Sequence, residues 1–233
     1  MSFRRRRKTV KVKNNFPFDA VFYDLDGTLI DSVPVITLCF RKAYEAVLGR
    51  CDRSEEDLKS YIGKPLVETF AMHDEVTAKR LFDKYLEINL EYLKDDMIPL
   101  FPFIEEDLLY IKSLGIRQGI VTSKRKESAM YTIKLKGFDK IFDSFVFHED
   151  TKKHKPSGEP LIKAAGDLGI TDMSRILYVG DALPDLQCSA DAGVPFALVS
   201  WTRMPVPSAE EYGSYTVLDR LKDIPCIIAD SEL

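Results

Sequence analysis

Val21-Phe22-Tyr23-Asp24-Leu25-Asp26-Gly27-Thr28-Leu29-Ile30-Asp31-Ser32 decides how this chain is read. The apolar run Ala20 to Tyr23 predicts a strand buried on both faces. Two carboxylates two residues apart, and then Gly27, follow at once. Buried charge is costly unless it is paired or binds a metal. In open α/β sheets, ligands sit at the carboxyl ends of strands. A strand that runs into Asp24, Asp26 and a glycine able to turn sharply is therefore suited to present the two acids there. Alone, such a stretch reads first as an ordinary solvated turn. Three further elements, met in order along the chain, decide between these readings.

Pro34 suits a first helical turn, and Asp31 and Ser32 offer N-cap side chains. Val33, Ile36, Phe40, Ala43, Tyr44 and Val47 then recur at helical spacing up to Gly49. Ser54 with Asp57 forms a capping-box pattern for a short helix to Tyr61. Gly63-Lys64-Pro65 breaks the pattern before helices over 66–72 and 76–93. After Pro99 and Pro102, helices and strands alternate. Strands are predicted at 117–121, 144–147, 175–179, 196–199 and 215–218, with helices over 104–114, 126–136, 159–168 and 183–192. Asp219 is placed to cap a last short helix. This alternation predicts an α/β fold: a Rossmann-like parallel sheet core with an inserted all-helical cap domain. The expected division is core at 16–32 and 97–233, cap at 33–96, and a flexible basic arm at 1–15.

Each further element has a chemical reading. Thr122-Ser123-Lys124 ends a strand in hydroxyls before a helix, which is either an anion site or plain N-capping. Lys155 sits before Pro156 and Pro160, so that a stiffened approach fixes one ammonium, as neutralising a phosphate requires. The neighbours Lys152, Lys153 and His154 read as solvated turn residues. Val179-Gly180-Asp181, with Asp185 on the next helical turn, again ends a strand in glycine and acid. Asp24, Asp26, Asp181 and Asp185 would repel one another unless a hard cation joined them. With no Cys or His among them, magnesium is the natural choice.

Taken together and in order, these elements resemble the four motifs of the haloacid dehalogenase superfamily, over roughly residues 18–222. Asp-Leu-Asp-Gly-Thr-Leu-Ile-Asp-Ser resembles the signature of its phosphoglycolate phosphatase-like subgroup, which carries a small α-helical cap. The resemblance implies a phosphatase acting on a small phosphorylated metabolite, a phosphoglycolate-like phosphomonoester. It casts Asp24 as nucleophile and Asp26 as general acid and then base. It implies Mg2+ held by the Asp24 carboxylate, the Asp26 backbone carbonyl and Asp181, with Asp185 in contact or one step behind. Thr122 and the Ser123 amide would bind phosphate oxygens beside the Gly27 turn, and Lys155 would hold Asp24. Lys64, in the cap loop, and Arg125 would border the substrate. Asp31, Ser32 and the stretch 97–101 would be hinges for cap closure. The superfamily's dehalogenases lack an acid at the position of Asp26, which argues against dehalogenation. Gly27-Thr28, where its mutases usually carry Gly-Val, favours hydrolysis. Phe103 and Ser200-Trp201-Thr202 depart from the subgroup pattern, at places expected not to touch the catalytic core.

Composition narrows the alternatives. The 233 residues are 45% hydrophobic, enough for a sizeable core, and no apolar run approaches the ~20 residues of a membrane helix. Cys39, Cys51, Cys188 and Cys226 lack metal spacing and read as reduced thiols of a cytoplasmic protein, with Cys39 and Cys188 in the core. Arg4, Arg5, Arg6, Arg7, Lys8, Lys11 and Lys13 carry +7 of a net −4, so the remainder is −11. That acidic body makes nucleic acid an unexpected partner, with the arm a weak hint the other way. Monomer and homodimer both fit. A pyrophosphatase, a nucleotidase, a sugar phosphomutase and a catalytically silent binding protein using the arm are the competing readings.

Overall fold

The computed structural model describes residues 17–94, 96–213 and 215–227. The basic arm lies outside them. Strand β1 (Ala20–Tyr23) leads into four helices: α1 (Val33–Leu48), α2 (Glu55–Lys59), α3 (Leu66–Phe70) and α4 (Glu75–Lys94). Strands and helices then alternate as α5 (Ile104–Ser113), β2 (Arg117–Val121), α6 (Lys126–Leu135), β3 (Ser144–Val146), α7 (Glu159–Asp167), β4 (Ile176–Gly180), α8 (Leu183–Ala192), β5 (Phe196–Val199), α9 (Ala209–Tyr212) and β6 (Thr216–Leu218). All the expected elements are present, with ends moved by one or two residues, as frayed ends commonly are.

The six strands form one parallel sheet in the order β3-β2-β1-β4-β5-β6. Strand β1 is central, and its side chains alternate between two apolar layers. Val21 and Tyr23 enter one, with Ile120, Leu177 and Val179; Ala20 and Phe22 enter the other, with Val121, Tyr178 and Leu198. This is why its sequence reads apolar at every position. A third cluster belongs to the helical insert, where Phe40, Tyr44, Leu58, Phe70, Leu81 and Tyr85 pack together. The insert therefore has its own small core, as expected of a helical cap.

The two chain crossings between sheet core and cap lie side by side. Ile30 bridges Leu100, and the Asp31 amide donates to the Pro99 carbonyl at 2.9 Å. The Asp31 carboxylate does not cap α1. It accepts both arms of Arg203, at 2.6 Å each. Ser32 is the N-cap residue but makes no capping bond through its side chain. The Ser54–Asp57 capping box forms as expected. Asp219 does not cap the last short helix, Leu221–Cys226, whose N-cap is Arg220. Phe103 adopts φ +66, a conformation in which a glycine would be unstrained, and Arg220 stacks 3.8 Å above its ring while clamping Asp107. Cys39 and Cys188 are buried and all four cysteines are unpaired, so none is spent on a disulfide.

Close packing between β1, β2 and β3 sets a sharp steric limit. A Cβ at Gly119 would lie 2.7 Å from the Phe22 ring and 3.1 Å from the Ser144 carbonyl oxygen. Gly119→Ala should therefore cost about 1–3 kcal/mol, as overpacking does. Urea unfolding would read this as a lower midpoint at unchanged slope. An unchanged midpoint would mean that the strands separate freely here.

Candidate active site

The sheet order brings the three motif strands together. β1 runs between β2 and β4, with Tyr23 in register with Ile120 on one side and Val179 on the other. The residues just past these strand ends, Asp24, Thr122 and Asp181, therefore emerge as neighbours. The Asp24 amide extends the pairing by donating to the Val179 carbonyl at 2.9 Å. Gly27 follows at φ +88, and a Cβ there would overlap the Asp181 carboxylate. A Cβ at Gly180 would likewise collide with the Asp185 side chain. Both glycines of the acidic motifs are thus demanded by the carboxylates they adjoin.

Lys155 is the centre of the site. Its ammonium donates to Asp24 Oδ1 at 2.6 Å, to Asp185 Oδ1 at 2.7 Å and to the Tyr178 hydroxyl at 2.9 Å. The Tyr178 phenol lies 3.0 Å from Asp185 Oδ1 and 3.1 Å from the Val121 carbonyl. The other Asp185 oxygen accepts the Asp181 and Ala182 amides at 3.2 Å each. Asp185 is thus held by backbone, tyrosine and lysine, and in turn braces the lysine. One carboxylate oxygen each from Asp24, Asp181 and Asp185 lie within 4.8 Å of one another, all three side chains buried. These are hard oxygen donors with no sulfur or imidazole among them, a set that fits Mg2+.

The charges are strained by burial. Burial pushes the Asp24 carboxyl up to about 7, against the pull of the Lys155 ammonium and with a further push from Asp185. Burial, then the charges of Asp185 and Asp24, hold Asp181 well above the usual carboxylate range. Burial pulls Lys155 downward, but Asp185 and Asp24 outweigh it and hold the ammonium charged to beyond the ordinary lysine range. Three carboxylates against one ammonium leave negative charge uncompensated, which a proton or a cation can relieve.

The expected residues converge on one cavity of about 470 Å³ between cap and core. Asp24, Asp26, Thr122, Ser123, Lys155, Asp181 and Asp185 line its core side, with Lys64 and Arg125 also bordering it. Gly27 adjoins it through Asp181. Thr122 and Ser123 do not cap α6, whose N-cap is Arg125 and whose first amide, that of Lys126, donates to Glu149. The Thr122 hydroxyl instead accepts the Lys124 amide at 3.1 Å, and the Ser123 hydroxyl is buried without a partner among the described residues. An unpartnered buried hydroxyl beside these charges favours the anion-site reading. Arg125 pairs with Glu149 at 3.3 Å and lies 5.9 Å from the Phe82 ring of α4, so it links core to cap.

Three site residues escaped sequence reasoning. Lys124 reaches Asp26 at 3.1 and 3.2 Å with its side chain only 8% exposed. Its place directly after Thr122-Ser123 was the available signal. Tyr178, inside an apolar strand, gave none. Thr202 corrects an expectation outright. The Ser200-Trp201-Thr202 stretch does touch the catalytic core: the Thr202 hydroxyl donates to the Asp181 carbonyl at 2.7 Å and the Trp201 indole to the Thr28 carbonyl at 3.0 Å. Loop contacts of this kind carry no local pattern. Lys152 and Lys153 are exposed, as expected, whereas His154 is half-buried and stacks on His148 at 3.8 Å.

The model of the haloacid dehalogenase-like hydrolase family matches residues 21–199. A Clostridium perfringens protein named "Putative pyrophosphatase PpaX" is 37% identical, over 88% of this chain and 94% of its own. "Pyrophosphatase PpaX" of Bacillus cereus is 31% identical, over 91% of this chain and 97% of its own. The crystal structure of "a predicted phosphoglycolate phosphatase" from Haemophilus somnus has the same fold, at TM-score 0.79 and 23% identity, covering 89% of this chain and 96% of that one. With a family match over most of its length and a 37%-identical relative, the chain belongs to the haloacid dehalogenase-like hydrolases and is a phosphatase of that family.

Proposed function

We propose that this phosphatase is magnesium-dependent and hydrolyses a phosphomonoester of a small metabolite through an aspartyl-phosphate on Asp24. The observation that carries this reading is the buried Lys155 ammonium bound to one oxygen of Asp24, at 2.6 Å. It orients the carboxylate and leaves its other oxygen to attack phosphorus. The P–O bond to the leaving group breaks as the Asp24–phosphorus bond forms. Asp26, held by Lys124, is positioned to give a proton to the departing oxygen and then to take one from the attacking water. Water attacks phosphorus, which frees phosphate and restores the Asp24 carboxylate. Thr122, Ser123 and Lys155 are the groups available to phosphate oxygens. Asp24 and Asp181, with Asp185 behind them, would hold Mg2+, which when bound supplies positive charge against the phosphoryl oxygens. The names of the 37%- and 31%-identical relatives favour a second reading, hydrolysis of pyrophosphate by the same residues. The four unpaired cysteines support a reducing compartment, the cytoplasm, as part of this reading. Among the described residues no helix is long and apolar enough to cross a membrane.

Asp24→Asn should lower phosphate release by at least about a thousandfold for every compound the wild type turns over, since it removes the attacking oxygen. A panel of phosphate esters, nucleotides and pyrophosphate, assayed with and without Mg2+, measures this. Wild-type-like turnover in the variant would refute the nucleophile assignment.

The raised carboxyls also predict how metal affects stability. Asp24 and Asp181 bind protons more tightly folded than unfolded. The metal-free protein therefore loses stability as pH rises from about 4 through the folded value of Asp24 near 7. The raised Lys155 contributes stability that is lost only above the ordinary lysine range, so it does not change this sign. Mg2+ competes with those protons. Calorimetry should show a larger Mg2+-induced rise in Tm at pH 8 than at pH 5.5. Equal shifts at both would mean that the cation binds elsewhere.

A further inference from the structure

The cavity has two unlike sides. Its core side carries the carboxylates, hydroxyls and Lys155. On the cap side α1, α4 and the segment from Tyr61 to Val67 turn Phe40, Tyr61, Leu66, Phe82, Tyr85 and Leu86 toward it. The Phe40 ring lies 4.4 Å from Tyr85 and 5.4 Å from Tyr61, so the deeper part of this wall is locked by aromatic packing. Phe82 and Leu86 are only half-buried. They pack on the cap's apolar cluster from one side and face the cavity from the other.

The cations lining this space are Lys64, Lys124, Arg125 and Lys155. Lys155 is engaged with Asp24 and Asp185, Lys124 with Asp26, and Arg125 with Glu149. Lys64 is exposed. Apart from Lys64, the cap side of the cavity offers no cation among the described residues to neutralise a second phosphate or a carboxylate on the leaving group. An ionised group set against such a wall pays for lost water without a partner, whereas an apolar ring gains by burial and aromatic contact. A cavity of about 470 Å³ lies within the range of sites for organic ligands.

We infer that this wall is the leaving-group subsite, and that it selects a phosphate monoester whose alcohol carries an apolar, ring-sized body over pyrophosphate or a phosphorylated small acid. The inference rests on the phosphatase reading above and specifies its substrate class. Phe82 and Leu86 are the specificity-determining residues, because their half-buried faces are those a bound ring would cover.

The test uses the full chain with Mg2+ and compares phosphate release from 2-phenylethyl phosphate, ethyl phosphate, phosphoglycolate and pyrophosphate. The two alkyl esters share their bond chemistry and differ in the ring. The expected kcat/KM for 2-phenylethyl phosphate is at least roughly tenfold above that for ethyl phosphate, and above both anionic compounds. Phe82→Ala and Leu86→Ala should each narrow the ratio between the two esters severalfold. Leu86→Lys should shift preference toward phosphoglycolate and pyrophosphate. Ester values within twofold of each other, a preference for either anionic compound, or a ratio untouched by both alanine variants would overturn the inference while leaving the phosphatase reading intact. No release from any of the four by folded wild-type protein would overturn the phosphatase reading, and the inference with it.

Discussion

One buried ammonium, that of Lys155, holds the active site together. It touches Asp24 and Asp185 at once and takes Tyr178 as a third partner. Carboxylates buried this deeply would lose their charge in isolation. Lys155 opposes that loss at Asp24 but is outnumbered by Asp24, Asp181 and Asp185. That imbalance is productive for phosphoryl chemistry. The site is short of positive charge at the point where a hard cation and a phosphoryl group together would bring charge of both signs.

The fold supplies what this cluster needs. A parallel sheet with β1 in the middle puts two strand ends beside Asp24; Lys124 and Asp181 follow those neighbours, and Lys155 comes from the segment between β3 and α7. Close approach of the acids is possible because Gly27 and Gly180 stand where any side chain would overlap them. The cap meets the core through paired crossings at Ile30–Leu100 and Asp31–Pro99, and through the Arg125–Phe82 contact. The cavity thereby lies between a charged strand-end platform and a largely apolar helical roof.

Much of this was legible in the sequence because it is local. Strand β1 is apolar at every position, since both its faces are covered, and helical spacing in α1 follows the one face it buries in the cap. Asp24, Asp26, Asp181 and the two hydroxyls stood just past strand ends, Asp185 stood on the helical turn after one, and Lys155 stood before prolines that lead into a helix. What could not be read depends on contacts between distant segments. Nothing in Ile176–Gly180 marks Tyr178 as the partner of a lysine from the loop before α7. Nothing near Trp201 and Thr202 indicates that they buttress Thr28 and Asp181. The capping expectation at Asp31 failed for the same reason: Asp31 found Arg203, far along the chain, and a tertiary ion pair prevailed over a local bond.

The central claim is that Asp24 carries the phosphoryl group during turnover. Rapid acid quench of the wild-type protein with a substrate it hydrolyses, followed by mass spectrometry of its peptides, tests this most directly. The account predicts a phosphorylated peptide containing Asp24, lost on treatment with hydroxylamine and missing from Asp24→Asn. Turnover with no label on Asp24, or label on another residue, would contradict it.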